Sequence, residues 1–183
     1  MKDWKTYCKA AFNGMRANRD LWKEGGKDVQ RSITHAGFYC QVFCSGYNRT
    51  GLISEAAYER KMKGQKVVED HVLSPQFIGR MIMEAGDYYL ENYDRFEELF
   101  SLCRQTIVVT QEENDNLSFL TKNVNGEIII LVPTIRKYQS LKINLRKKVS
   151  RNWFDAIPTT DTFENLLTIP EALTVYETNF IPE

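Results

Sequence analysis

Apolar residues recur along this chain with two different periods, and the alternation between them outlines a mixed fold. Trp4, Tyr7, Cys8, Ala11, Phe12 and Met15 fall at helical spacing, which predicts an amphipathic helix over Trp4–Arg19. Gly25-Gly26 breaks the pattern. Ile33–Tyr47 (ITHAGFYCQVFCSGY) is rich in aromatic and β-branched residues and predicts one or two short strands. Ser54–Lys63 reads as a short helix that Gly64 stops, glycine being the usual terminator.

The middle of the chain is more informative. Gln65–Leu73 (QKVVEDHVL) reads as a strand, and Ser74-Pro75 then supplies an N-cap and first-turn pair that opens a helix at QFIGRMIMEA. Asp87–Cys103 reads as a second helix with Tyr89, Phe96, Leu99 and Phe100 facing inward. Arg104–Val109 (RQTIVV) is a compact β-branched strand. Thr110 with Glu113 three residues on makes a capping box, so a further helix is expected through Leu120. Asn125-Gly126 predicts a turn, followed by a strand over Glu127–Val132. The expected class is α+β: a small mixed domain with an N-terminal helix and a C-terminal arm. Four segments are expected: 1–64 with the first helix and short strands, 65–122 as the core, 123–151 with a strand and a basic stretch, and 152–183 as an acidic tail.

Composition narrows the function classes. With 183 residues, 43% of them apolar and 26% charged, the chain suits one packed domain. Lys plus Arg and Asp plus Glu each number 24, which argues against nucleic-acid binding through bulk charge alone. The charge is nevertheless segregated. Arg136, Lys137, Lys142, Arg146, Lys147, Lys148 and Arg151 form a run without acids, and the residues after it carry Asp155, Asp161, Glu164, Glu171, Glu177 and Glu183 without a basic residue. No apolar run approaches the roughly 18 to 20 residues of a spanning helix, and the charged N-terminus has no signal-peptide core. A cytoplasmic protein without a membrane partner is expected. The four cysteines, Cys8, Cys40, Cys44 and Cys103, are too sparse for a disulfide framework. They read as free thiols, with Cys40 and Cys44 spaced for half a zinc site.

Two histidines exist, His35 and His71. His35 reads as structural. His71 follows Asp70 at the end of a predicted strand, where a carboxylate can bind a hard cation and a neutral imidazole can take a proton from water. Taken alone, the pair reads more readily as a surface acidic strand end with a satisfied histidine. Downstream stand a second strand and a capped helix with Asn114 in its first turn. In that order, Glu69-Asp70-His71-Val72-Leu73-Ser74-Pro75 and Gln105 through Asn114 resemble the two motifs of the HNH (His-Me finger) endonucleases, especially the free-standing phage and homing type. The resemblance covers roughly Val67 to Leu117.

The resemblance implies a ββα-metal finger with a helical insertion, in an enzyme that hydrolyses double-stranded DNA to leave 5′-phosphate ends. It implies His71 as general base, Asp70 and Asn114 as ligands of Mg²⁺ or Mn²⁺, and a phage-encoded protein acting in a bacterial cell. The middle position, which orients the base, falls on Gln105 where the family has Asn, with Thr106 as the alternative. The insertion over Gln76–Cys103 leaves the pairing of the two strands open. Phosphate contacts would come from the basic run (Arg136, Lys137, Lys142, Arg146, Lys147, Lys148), then from Arg60, Lys61, Lys63 and Lys66. Arg80 can reach a phosphate or pair with Glu84 one turn on. Nicking or double-strand cutting depends on whether the chain forms a homodimer. The rival readings are a non-catalytic nucleic-acid-binding protein with a degenerate finger, and an interaction module that docks a partner through the acidic tail.

Overall fold

The computed structural model describes residues 3–118, 121–124, 127–130, 137–138, 141–148 and 154–156, with the backbone alone at 118, 121–124, 127–130 and 154–156. The fold is mixed α+β. It divides into two compact units, each discontinuous: Met1–Asn48 with His71–Gln105, and Arg49–Asp70 with Thr106–Glu183. The units therefore cut across the four segments expected from the sequence. The acidic tail apart from 154–156, the Asn125-Gly126 turn, the helix end at Leu120, Arg136 and Arg151 lie outside the described residues.

The first unit is helical. Its helices are α1 (Trp4–Ala17), α2 (Arg19–Glu24), α3 (Lys27–Thr34), a π-helical turn (His35–Tyr39) and α4 (Cys40–Ser45). After an excursion through the second unit the chain returns in the helices Pro75–Ala85, Asp87–Leu90 and Tyr93–Cys103. Asp3 caps α1, accepting from the Lys5 amide at 3.2 Å and the Thr6 hydroxyl at 2.7 Å. Pro75 starts its helix as expected, whereas the Ser74 side chain makes no capping bond. The helix expected to run unbroken over Asp87–Cys103 restarts at Asn92, whose side chain accepts from the Arg95 amide at 3.1 Å. Such a cap satisfies a backbone donor that a helix start leaves open.

The core of this unit is a ring cluster. Phe38 meets Phe96 and Phe100 edge-on, with centroids 5.7 and 5.6 Å apart, and Phe12 meets Phe96 at 5.3 Å, the arrangement ring quadrupoles favour. Gly79 admits Phe38 to the helix surface, because a Cβ there would lie 3.0 Å from the Phe38 Cβ. The strands expected over Ile33–Tyr47 are instead helix. Thr34, Phe38, Val42 and Ser45 are buried, so a helical period underlies the segment, and packing on that face outweighs its β-branched and aromatic composition.

The second unit carries the sheet. Its strands are β1 (Asn48–Ser54), β2 (Val68–His71), β3 (Gln105–Val109), β6 (Leu145–Lys148) and β7 (Phe154–Ala156), in the order β2-β3-β1-β6-β7. The terminal residues Asn48, His71 and Gln105 of three strands count with the helical unit. β1 and β6 run antiparallel with Leu52 opposite Lys147, and β6 and β7 with Lys147 opposite Asp155. A separate hairpin joins β4 (Thr121–Val124) to β5 (Glu127–Ile130), Val124 opposite Glu127. Helix α5 (Glu55–Met62) is capped by Ser54 and followed by Gly64 at φ +69°. The capping box forms as read: the Glu113 amide donates to Thr110 Oγ1 at 3.1 Å, and the Thr110 amide to Glu113 Oε2 at 2.8 Å. It opens α9 (Gln111–Ser118). Among the described residues no helix is long and apolar enough to cross a membrane.

Candidate functional site

β2 and β3 are neighbours in the sheet although the helices of the other unit separate them in sequence, and α9 follows β3 directly. Strand, strand, helix is therefore the local order. Asp70 and His71 close β2, Gln105 opens β3 and Asn114 lies in α9.

His71 is half-buried. Its Nδ1 lies 2.8 Å from the Cys103 carbonyl oxygen. A carbonyl only accepts, so Nδ1 carries the hydrogen, and in the neutral ring the lone pair sits on Nε2. The Tyr47 ring meets the imidazole edge-on, centroids 5.4 Å apart. Cys103 closes its helix one residue before Arg104, and its thiol is buried, which pushes the thiol well above its ordinary range. Among the described contacts, a backbone carbonyl holds the imidazole, where the sequence pointed to the Gln105 side chain or Thr106. Gln105 contributes its backbone instead, its carbonyl accepting from the Val72 amide at 2.9 Å. Thr106 is buried and donates to Glu69 Oε2 at 2.6 Å. Glu69 Oε1 in turn takes Arg49 Nε, also at 2.6 Å.

Asp70 sits in a buried polar group that sequence reading missed. Lys137 Nζ lies 2.7 Å from Asp70 Oδ2, with side-chain exposures of 8% and 14%. The Tyr138 hydroxyl donates to the same oxygen. Burial pulls the Lys137 ammonium below its usual value while Asp70 pushes it back up, and burial with Asp70 beside it drives the Tyr138 phenol well up. Tyr138 is therefore a neutral donor and Lys137 the charge that balances Asp70. The chain is positioned there by backbone bonds from Leu141 and Ile143 to the Lys137 and Tyr138 carbonyls, at 3.3 and 2.9 Å. The one signal in the sequence was a lysine–tyrosine pair in a charged run, which composition alone assigns to the surface.

This corrects the basic surface expected from the sequence. Lys137 is 7% exposed and belongs to Asp70, so it is no surface phosphate contact. Arg146 pairs with Glu55 and lies over the Tyr58 ring at 4.6 Å. Lys142, Lys147 and Lys148 are exposed, and Arg136 lies outside the described residues. Arg80 pairs with Glu84, Nε to Oε1 at 2.7 Å, the second of its two expected partners.

Asp70 and Asn114 offer hard oxygen donors of the kind Mg²⁺ accepts, usually one or two with water completing the shell. Among the described residues, the contacts of Asp70 with Lys137 and Tyr138 both fall on Oδ2. As donor types, a carboxylate and an amide oxygen suit a hydrated Mg²⁺, and the Lys137 ammonium beside Asp70 opposes a cation there. Among the described residues no group of three His, Cys, Asp or Glu side chains could hold a metal, and this includes Cys40 and Cys44. All four cysteines are free thiols.

Comparison of the chain with protein-family models, curated proteins and solved structures returns no match.

Proposed function

We propose that the chain is a phosphodiester hydrolase acting on double-stranded DNA, an HNH-type endonuclease in its chemistry, with His71 as general base. The observation that carries this reading is the His71 ring itself: held through Nδ1 by the Cys103 carbonyl, at the end of β2 in a strand–strand–helix order. A ring so held presents Nε2 as the proton acceptor. Nε2 takes a proton from water, the hydroxide attacks phosphorus in line, and the 3′ oxygen leaves, so that the 5′ phosphate stays with the downstream strand. Mg²⁺ or Mn²⁺ held by Asp70 and Asn114 would supply charge neutralisation at the phosphate. Exposed Lys142, Lys147 and Lys148 supply sequence-independent phosphate contacts. A phage-encoded enzyme in a bacterial cytoplasm is the setting this reading carries with it.

The Asp70–Lys137 pair favours one rival, a nucleic-acid-binding protein whose finger has exchanged its metal for an internal cation. Incubating supercoiled plasmids with the protein in Mg²⁺ or Mn²⁺ separates the two. Nicked or linear products that vanish with EDTA and with Asn114→Ala support the nuclease. Salt-sensitive binding with no product in either metal supports the rival.

A further inference from the structure

Six residues in the helical unit follow one another at four-residue steps: Lys27, Arg31, His35, Tyr39, Phe43 and Tyr47. The last four are rings in contact. His35 and Tyr39 stack with centroids 5.0 Å apart, Tyr39 and Phe43 stack at 6.4 Å, and Phe43 meets Tyr47 edge-on at 6.2 Å. Tyr47 then meets His71. The row is open to solvent: Phe43 is 54% and Tyr47 39% exposed, His35 is exposed, and the residues facing the other way, Phe38 and Val42, are fully buried.

Four-residue steps drift around a helix that turns every 3.6 residues. Here the π-helical turn His35–Tyr39 interrupts the α-helix, and its extra residue per turn offsets that drift for His35, Tyr39 and Phe43, while Tyr47 lies just past the helix end at Gly46. Such π turns are frequent at functional sites. A buried core needs no such row, since the packing face of this segment is the one that carries Phe38 and Val42.

We infer that this ring ladder is a stacking surface for unpaired nucleobases, leading a separated DNA strand to His71. The choice of a nucleic-acid occupant rests on the nuclease reading of His71. It is supported by the two cations, Lys27 and Arg31, both exposed, that extend the row and match a phosphate backbone. Exposed aromatic rings beside cations are the recurring means of holding single strands, because every base has a face to stack. The ladder thus makes the substrate a duplex opened at the cleavage point.

The test is the anisotropy of a fluorescein-labelled fifteen-nucleotide oligothymidylate titrated with the whole chain in EDTA, which prevents cleavage. A duplex of equal length and an abasic strand of equal length are compared with it. The single strand binds more tightly than either. Phe43→Ala and Tyr47→Ala each weaken it about 5- to 150-fold, the usual loss of one stacked base, while Phe43→Trp retains it. Equal binding of the abasic strand, or Phe43→Ala binding like the wild type, overturns the proposal. Circular dichroism of the variants shows whether they are folded, and Phe43→Trp covers the case in which an alanine variant is not. Single-strand binding without plasmid cleavage upholds the ladder and removes the nuclease reading. Plasmid cleavage with Phe43-independent binding removes the ladder alone.

Discussion

Replacing Lys137 by methionine tests how Asp70 is balanced. The ammonium lies 2.7 Å from Oδ2, and both side chains are largely out of water, at 8% and 14% exposure. At an effective dielectric of about 20, attraction over that distance is roughly 6 kcal/mol. Desolvating two ions costs several kcal/mol each, so the pair comes near to break-even. Removing one partner does not, because the carboxylate keeps its desolvation cost and loses its counter-charge. Lys137→Met is expected to lower the unfolding free energy by about 3 to 5 kcal/mol. Asp70→Asn in the same chain removes the orphaned charge while its amide oxygen still accepts from the Tyr138 hydroxyl. The double variant is expected to lie within about 1.5 kcal/mol of the wild type. Urea unfolding at neutral pH followed by circular dichroism measures all four members of the cycle. A Lys137→Met loss under about 1 kcal/mol, in the range of exposed ion pairs, would refute the reasoning, as would a double variant no more stable than Lys137→Met.

Other outcomes follow from the same geometry. Ser54 Oγ accepts from the Ala57 amide at 3.0 Å and donates to Glu113 Oε2 at 2.6 Å, fully buried. Ser54→Ala is therefore expected to cost about 2 kcal/mol in urea unfolding, and a loss below 0.5 would show the cap to be idle, roughly the surface-mutation range. Burial pushes the Cys8 thiol from 9.0 to about 11. Below pH 9 both folded and unfolded chains keep the proton; between 9 and 11 only the folded chain does. Stability is thus expected to fall with rising pH by about 1.4 kcal/mol per unit over that window. Cys8→Ala should flatten its share of the slope, and an unchanged slope in that variant would contradict the assignment. A bulkier change, Gly79→Val, drives a side chain into Phe38, which the surrounding rings hold in place. Its expected cost is about 1 to 3 kcal/mol, read as a lower melting temperature.

Much of the fold was legible because local rules and tertiary structure agree. The heptad-like spacing of α1, Gly64 after α5, Pro75 at a helix start and the Thr110–Glu113 box all acted as the sequence implied. Ile33–Tyr47 was not legible from composition. Its aromatic content pointed to strand, and only the burial of Thr34, Phe38, Val42 and Ser45 reveals the helical face. Of the candidate site, the order strand, strand, helix around Asp70, His71 and Asn114 was legible. Its supporting contacts were not, because each joins residues far apart in sequence. Cys103 lies 32 residues from His71 and Tyr138 lies 68 from Asp70. A backbone carbonyl leaves no trace in residue type, so nothing marked Cys103 as the group that holds the imidazole. A buried lysine inside a basic run likewise looks like its exposed neighbours.

In the proposed reaction His71 takes the proton from water at a phosphodiester bond. The most direct measurement is the plasmid cleavage rate of wild type and His71→Ala in Mg²⁺, with and without added imidazole. A loss of about 10² to 10⁴ in rate is expected, partly restored by imidazole, which supplies the missing base. His71→Ala cleaving at the wild-type rate would contradict that role.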